Sequence, residues 1–311
     1  MTSPPLSSYE DRTLYTTWQI TFDRIQQQNA ASAKLLKLWA YFDRQDLWFD
    51  LLRHANSMDD KLIQELTKDE LNFNEAITLL CTFGLVEPDR SLQQQVGPRG
   101  YSVHSCVHSW IVSVLNNKEW DKSLVRLAFT CIASEVPSKN EKDWWLLQQR
   151  LLQHAIRQND FIEDSTLDID GLYWVFHNLG VLYSDQGKLA EAETMYIQAL
   201  HGYKKTLRPN HTLTLQIINN LANLYSDQGK LAKAKTIYIQ VLYNYKKVLE
   251  SNYILTLNIV NNLANLYKTQ DKLAKTKIIY IQVLYSYKKI LRLNYTLIFN
   301  TVNNLVNLYK T

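Results

Sequence analysis

The chain is 311 residues long and 46% hydrophobic, with 34 Lys+Arg against 30 Asp+Glu and a formal net charge of +4. That length holds two domains with real cores, and no apolar run approaches the roughly 18–20 residues that a bilayer crossing needs. Three cysteines, Cys81, Cys106 and Cys131, are odd in number and far apart; they fit small core thiols in a reducing compartment and offer no zinc spacing.

Net charge hides a split. Residues 1–170 hold 17 Lys+Arg against 24 Asp+Glu, or −7, while residues 171–311 hold 17 against 6, or +11. All eight tryptophans lie at or before Trp174, and 15 of the 19 tyrosines lie from Tyr173 onward. Two modules are expected, joined near the acidic stretch DFIEDSTLDIDG at 160–171.

Residues 1–13, with two prolines and three serines, read as a disordered leader without a secretory signal, so the cytoplasm is the expected location. Thr16 or Thr17 is placed to cap a helix carrying Trp18, Phe22 and Ile25. A second helix follows with Ala33, Leu36, Leu38, Trp39 and Phe42, and LWFDLLRHA at 47–55 makes a short third. From Asn72 to Gly84, Phe73, Ala76, Ile77, Leu80 and Phe83 repeat at helical spacing, and Gly84 is placed to end the helix. LVEPD (85–89) and YSVH (101–104) read as two strands around a Gly-Pro loop, with SCVHSWIVSVLNN (105–117) helical again. Helices, a two-stranded hairpin and a further helix describe a winged-helix domain over 14–117. Residues 51–100 carry five basic and eight acidic side chains, so the electrostatic footprint for phosphates is missing and nucleic-acid binding is disfavoured.

Residues 118–170 read as a helical linker. Leu124, Leu127, Ala128 and Cys131 share one face, Pro137 breaks the chain, and Trp144, Leu147, Leu151 and Ile156 line the next helix.

From 171 on, one phrase is said four times: HNLGVLYSDQGKLAEAE at 177–193, NNLANLYSDQGKLAKAK at 219–235, NNLANLYKTQDKLAKTK at 261–277 and NNLVNLYKT at 303–311. Asn178, Asn220, Asn262 and Asn304 mark a spacing of 42 residues. A fixed period of this length signals a solenoid, whose units bury their apolar faces against one another. The first helix of a repeat (helix A) places Phe176, Leu179, Gly180 and Tyr183 on one face. Gly187 sits in the turn, and the second helix (helix B) carries Leu189, Ala192, Tyr196, Ala199, Leu200, Tyr203 and Leu207. The spacing L-G-x-x-Y…A-x-x-x-Y-x-x-A resembles that of the tetratricopeptide repeat, giving three full repeats and a truncated fourth.

On the face of helix A turned away from these packed positions, His177, Asn219, Asn261 and Asn303 form one column and Val181, Asn223, Asn265 and Asn307 a second. Amides offer both donors and an acceptor, the equipment for holding an extended peptide by its backbone. Lys268 and Lys310 lie further along and favour an acidic ligand; a solvated polar face is the bland alternative. Glu191 and Glu193 become Lys233 and Lys235, then Lys275 and Lys277, while Gly187 and Gly229 become Asp271 and Ala192 and Ala234 become Thr276. Each change is reachable by G-to-A substitution in codons, so the expectation is that the positive charge arose by mutational drift of duplicated DNA rather than by selection for an anionic partner. The third repeat is expected to be the least stable. Helix A of the fourth repeat (Val302, Leu305, Val306, Tyr309) has no partner helix, which predicts self-association through an uncapped apolar end or a truncated gene product.

Several stretches together, TTWQITFDRIQQQNAASAKLLKLWAYFDRQDLWFDLL, YSVHSCVHSWI, RLAFTCIA and DWWLLQQRLLQHA, resemble the part of fungal NLR-like (NB-ARC or STAND-type) proteins that follows the nucleotide-binding module. The resemblance runs over nearly all of residues 14–311. It implies the order winged helix, helical spacer, kinesin-light-chain-type tetratricopeptide array, and a sensor or scaffold role. In that family the strand-to-helix corner carries a histidine that contacts nucleotide phosphate; the matching residues here are Val103, His104 and Ser105, so the histidine is kept and its neighbours differ. No GxxxxGK[ST] occurs, so the phosphate cradle is missing and His104 is expected to be vestigial or structural, or to meet a nucleotide supplied by another chain. His104 and His108 stand four apart, but no third metal ligand accompanies them. The expectation is a mainly α interaction protein without catalytic residues, cofactor, metal or membrane contact. The alternatives are a kinesin-light-chain-like cargo adaptor and a winged-helix DNA-binding regulator.

Overall fold

A computed structural model describes residues 9–57, 60–89, 99–116, 120–163, 170–207, 211–247, 259 and 261–267. The chain forms two compact units, Met1–Leu182 and Tyr183–Thr311.

In the first unit, α1 (Tyr9–Gln28) leads into α2 (Ala30–Trp39), whose Asn29 cap accepts from the Ser32 amide at 2.9 Å. Next come α3 (Phe49–Leu52), continued as a 3-10 turn over Arg53–Ser57, then α4 (Lys61–Leu66) and α5 (Glu70–Thr82). Asp60 and Asp69 cap the last two, and Gly84 ends α5 at φ +69, a backbone region that glycine enters without a Cβ penalty. β1 (Val86–Pro88) and β2 (Tyr101–Val103) pair antiparallel with Val86 opposite Val103, and Leu47 adds a bridge to Tyr101. α6 (Ser105–Trp110) runs on as a π-turn over Ile111–Leu115, followed by α7 (Lys122–Ser134), α8 (Trp144–Glu163) and α9 (Tyr173–Asp185). The core is aromatic: Trp39, Trp48, Trp110, Phe42, Phe73, Phe129 and Phe161 are all fully buried.

Two expectations need correcting, and one short helix adds to the sequence reading. The first helix starts at Tyr9, inside the expected leader, and Thr16 and Thr17 lie within it rather than at its cap; no Gly or Pro interrupts the chain from Tyr9 to Gln28. Short α4, closed by Asp60 accepting from the Leu62 and Ile63 amides, escapes periodicity because six residues hold too few apolar repeats. The expected linker is part of the core. α7 packs on α3, the 3-10 turn and α8, and Leu124, Leu127, Ala128 and Cys131 are buried as their spacing predicts.

α8 departs furthest from its apolar pattern. Trp144, Leu147 and Ile156 are only half-buried, and Leu151 shares the buried face with Gln148, His154 and Gln158, each fully enclosed. These polar groups serve the chain that leaves α2. Gln158 donates to the Tyr41 carbonyl at 2.7 Å; His154 accepts from the Asp43 amide through Nδ1 at 3.2 Å and donates from Nε2 to the Asp46 carbonyl at 3.0 Å. Arg150 forks onto both oxygens of Asp46 at 2.8 Å and lies 4.1 Å above the Trp48 ring. Asp46 itself adopts φ 55, and a Cβ on Gly100 would stand 2.0 Å from its Oδ1. One helix thus supplies partners to main-chain groups of an irregular, half-buried turn, which no regular ladder serves.

In the second unit, α10 (Leu189–Thr206), α11 (Thr212–Asp227) and α12 (Leu231–Lys247) are followed by a helical stretch over 261–267. α11 packs on both α10 and α12. The turns before α10 and α12 are copies. Gly187 has φ +72 and Gly229 +73, the Lys188 amide donates to the Tyr183 carbonyl and the Lys230 amide to that of Tyr225. Ala192 and Ala234 are fully buried beside Tyr196 and Tyr238, so small and aromatic residues alternate where helices press together.

Two outcomes follow for the first unit, which Trp fluorescence reads selectively because all eight tryptophans lie at or before Trp174. Arg150→Ala leaves the Asp46 carboxylate buried without its cation and costs about 3–5 kcal/mol in urea unfolding; a change under ~1 kcal/mol makes the fork incidental. Burial pushes the imidazoles of His108 and His154 down from their ordinary value, against the backbone carbonyls that favour their charged forms. Each therefore contributes stability that is present above about pH 6.5, the ordinary imidazole value, and is lost as pH falls below it. Urea midpoints that stay level from pH 7 to pH 5 rule this out.

Candidate functional site

Helix A of the second repeat is α11. Its apolar positions Leu215, Ile217, Leu221, Ala222, Leu224 and Tyr225 are buried, which fixes where the expected asparagine columns lie. The inner column turns toward the protein. Asn219 is only 9% exposed and its Oδ1 accepts from Asn262 Nδ2 at 3.2 Å. Asn261 is half-buried, and so is His177 in α9, where burial pushes the imidazole down to about 4. The outer column is more open. Val181 and Asn223 are half-buried and Asn265 is exposed, with Asn223 Oδ1 accepting from the Tyr238 hydroxyl. Asn303, Asn307, Lys268 and Lys310 lie outside the described residues, as does the truncated fourth helix.

His104 is exposed and caps α6, its Nδ1 accepting from the Cys106 amide at 3.3 Å. It borders a depression lined by Arg44, Gln45, Glu87, Asp89 and Ser102. Among the described residues no group of three or more His, Cys, Asp or Glu is placed to hold a metal ion. No described helix is long and apolar enough to cross a membrane.

Two features of the array go unnoticed when the repeats are read one at a time. Two of the asparagines that mark the period, Asn178 and Asn262, are ties to the preceding helix layer. Asn178 Nδ2 donates to the Ala133 carbonyl at 3.0 Å within the first unit, and Asn262 reaches Asn219 within the second. Their exact recurrence every 42 residues was the available signal. The second feature is Glu193 on α10, the position at which Lys235 and Lys277 follow. Its carboxylate accepts from the Tyr225 hydroxyl at 2.9 Å and from Gln228 Nε2 at 3.1 Å, and pairs with Lys230 at 3.4 Å and Lys233 at 3.7 Å. Lys233 also stands 3.7 Å from the centre of the Tyr225 ring. Burial works to raise the Glu193 pKa, yet the hydrogen bonds from Gln228 and Tyr225 and the charge of Lys230 hold it below the usual carboxylate range. One side chain thereby joins helix B of the first repeat to helix A, the turn and helix B of the second. At the next junction Lys235 lies over the Tyr267 ring at 5.4 Å, so a cation–π contact stands where a carboxylate gathered four partners.

Glu193→Lys is expected to lower second-unit stability by about 2 kcal/mol, read by far-UV circular dichroism on heating and by faster amide exchange in α11. Lys235→Glu is expected to raise it, since Tyr267, Gln270 and Lys272 recur at the same spacing. Equal melting of Glu193→Lys and the unaltered chain removes the hub from the account.

Comparison with known proteins agrees with this geometry. The tetratricopeptide repeat family profile matches residues 172–247 and 214–289. No curated protein matches the chain. Among solved structures, the nearly identical TPR-like repeats of a Podosopora anserina protein named for kinesin light chain are 20% identical, with 62% of this chain and 88% of that chain covered at a TM-score of 0.47. BtubC (BKLC) from P. vanneervenii is 18% identical over 61% and 73% of the two chains at a TM-score of 0.42. Aspartyl phosphate phosphatase F from Bacillus subtilis is 12% identical over 93% and 66% at a TM-score of 0.44. The profile match and the repeated helix–turn–helix geometry coincide over residues 173–247: this mainly helical chain carries tetratricopeptide repeats, which the profile match extends to residue 289.

Proposed function

We propose that the chain is a non-catalytic interaction module that takes a peptide or protein along the helix A face of its repeats, as the sensor or scaffold part of an NLR-like signalling protein in the cytoplasm. The outer asparagine column carries this reading. Asn223 and Asn265 stand one repeat apart on the same face, half-buried and exposed in turn. The carbonyl oxygen of Asn223 accepts from Tyr238, which leaves its two N–H donors to meet carbonyls of an extended ligand. Asn219 works inside the protein instead, so the contact column narrows to Asn223 and Asn265, continued by Asn307 and Lys268 in the sequence. The charge of +11 over 171–311 favours an acidic ligand.

In the first unit, the order of α2 to α5, the β1–β2 ribbon and α6 supports a winged-helix reading of residues 14–117. His104 acts there as a helix cap, a structural role that fits a vestigial nucleotide position. The second reading is a kinesin-light-chain-like adaptor, which the array alone would serve. A DNA-binding regulator is disfavoured by the five basic and eight acidic side chains of residues 51–100.

The test is binding of a panel of extended acidic peptides to the full-length chain. Asn223→Asp keeps the oxygen that Tyr238 needs and removes the N–H donors. Combined with Asn265→Asp it is expected to weaken binding about tenfold or more, with Trp-monitored unfolding of the first unit unchanged. Unaltered affinity overturns the groove assignment. Co-purification with a P-loop ATPase supports the sensor reading, and a kinesin motor the adaptor; a salt-sensitive DNA shift supports the regulator.

A further inference from the structure

Helix B of each of the two described repeats has an outer face that neither packs inward nor belongs to the helix A groove. On α10 it holds Ala190, Thr194 and Ile197; on α12, 42 residues later, Ala232, Thr236 and Ile239. All six are exposed, Ile197 by 49% and Ile239 by 46%. Thr194 and Thr236 spend their hydroxyls on the Ala190 and Ala232 carbonyls of their own helices, at 3.2 and 3.1 Å, so what they offer a partner is a methyl group. Ala274, Ile278 and Ile281 continue the pattern in sequence; α10 ends in the exposed pair Lys204–Lys205, and lysine pairs recur in the sequence at 246–247 and 288–289. A lysine in the last turn also complements the helix dipole, so the pairs alone carry no meaning. The two exposed isoleucines, on the same face one repeat apart and followed on α10 by an exposed lysine pair, are the apolar and basic parts of one candidate surface.

The first unit bears the complementary surface. α5 buries Phe73, Ala76, Ile77 and Leu80 and leaves Leu71, Glu75, Thr78 and Thr82 exposed, Leu71 by 67%; this face lines an open depression with Asn74 and Leu79. Thr78 and Thr82 again bond their own helix, at 2.7 Å to the Asn74 carbonyl and 2.8 Å to that of Thr78. Exposed Glu65, Asp69, Glu70 and Glu75 border it against Lys61 and Lys68.

We propose that these faces meet between two copies of the chain, the acidic α5 face of one copy docking on the helix B stripe of another. The occupant is a second copy because the chain itself supplies a helix face of matching apolar content and opposite charge. The same opposition runs through the whole sequence, −7 over 1–170 against +11 over 171–311. Since the two surfaces differ, the contact is heterologous and each copy keeps one face free for the next. The stripe is separate from the helix A groove, so the failure of either assignment leaves the other standing.

Sedimentation of the full-length chain across concentration and salt tests this. Association that weakens as salt rises is expected. Glu70→Lys with Glu75→Lys, and separately Lys204→Glu with Lys205→Glu, are each expected to weaken it about tenfold or more, with unchanged circular dichroism. Mixing the two variants restores association, because the first retains the basic stripe and the second the acidic face. The proposal is overturned by a chain that stays monomeric, by association that both variants retain, or by a mixture that fails to recover. A monomer that instead binds phosphatidylserine vesicles also overturns it, as the stripe then serves a lipid surface.

Discussion

A pair of helices has more apolar surface than it can hide by itself, and the second unit is built on that shortage. Ala192 and Ala234 clear space at the tightest approach, Tyr196 and Tyr238 fill the gap beside it, and α11 finds cover on both sides from α10 and α12. Each layer is therefore folded only to the extent that its neighbour is. The surface left over is a by-product of packing: once one face of helix A is spent on the stack, the opposite face has to be presented.

Polar contacts decide how firmly the layers couple. Glu193 collects a hydroxyl, an amide and two ammonium groups from the following repeat, all of which lose less to desolvation when gathered around one carboxylate. Replacing that carboxylate by Lys235 leaves an aromatic ring as the neighbouring partner. A cation–π contact at an exposed site is worth about 0.5–1 kcal/mol, whereas hydrogen bonds to a charged group are worth about 1.5–3 kcal/mol each. The junctions of the array therefore differ in strength even though the repeats read almost alike, and the divergence from Glu to Lys is mechanical as well as electrostatic.

The first unit solves a different problem. After α2 the chain must run through an irregular, half-buried turn to reach β2 through the Leu47–Tyr101 bridge, and such a turn has main-chain groups that no helix or sheet satisfies. α8 brings Arg150, His154 and Gln158 to it, at the expense of placing a basic residue and two neutral polar ones where a hydrophobic stripe was expected. That is why α8 belongs to the core: its side chains complete the backbone hydrogen bonding of a segment more than 100 residues earlier.

The 42-residue period, the helix–turn–helix unit, the glycines at positive φ in the turns, and the two-stranded hairpin with its flanking helices were all legible in the amino-acid order. Each is a local rule: apolar spacing sets the helix, and glycine sets the turn wherever a left-handed residue is required. The tertiary structure alone decided which asparagines turn inward to tie layers together and which stay nearer the surface, since Asn219 and Asn223 are the same residue type at nearby positions of one helix. It alone converted Glu193 from one more surface charge into a junction, and the helices of the expected linker into part of a core. Burial of a polar side chain depends on what comes to meet it from a distant part of the chain, and a periodic pattern along one helix holds no record of that meeting.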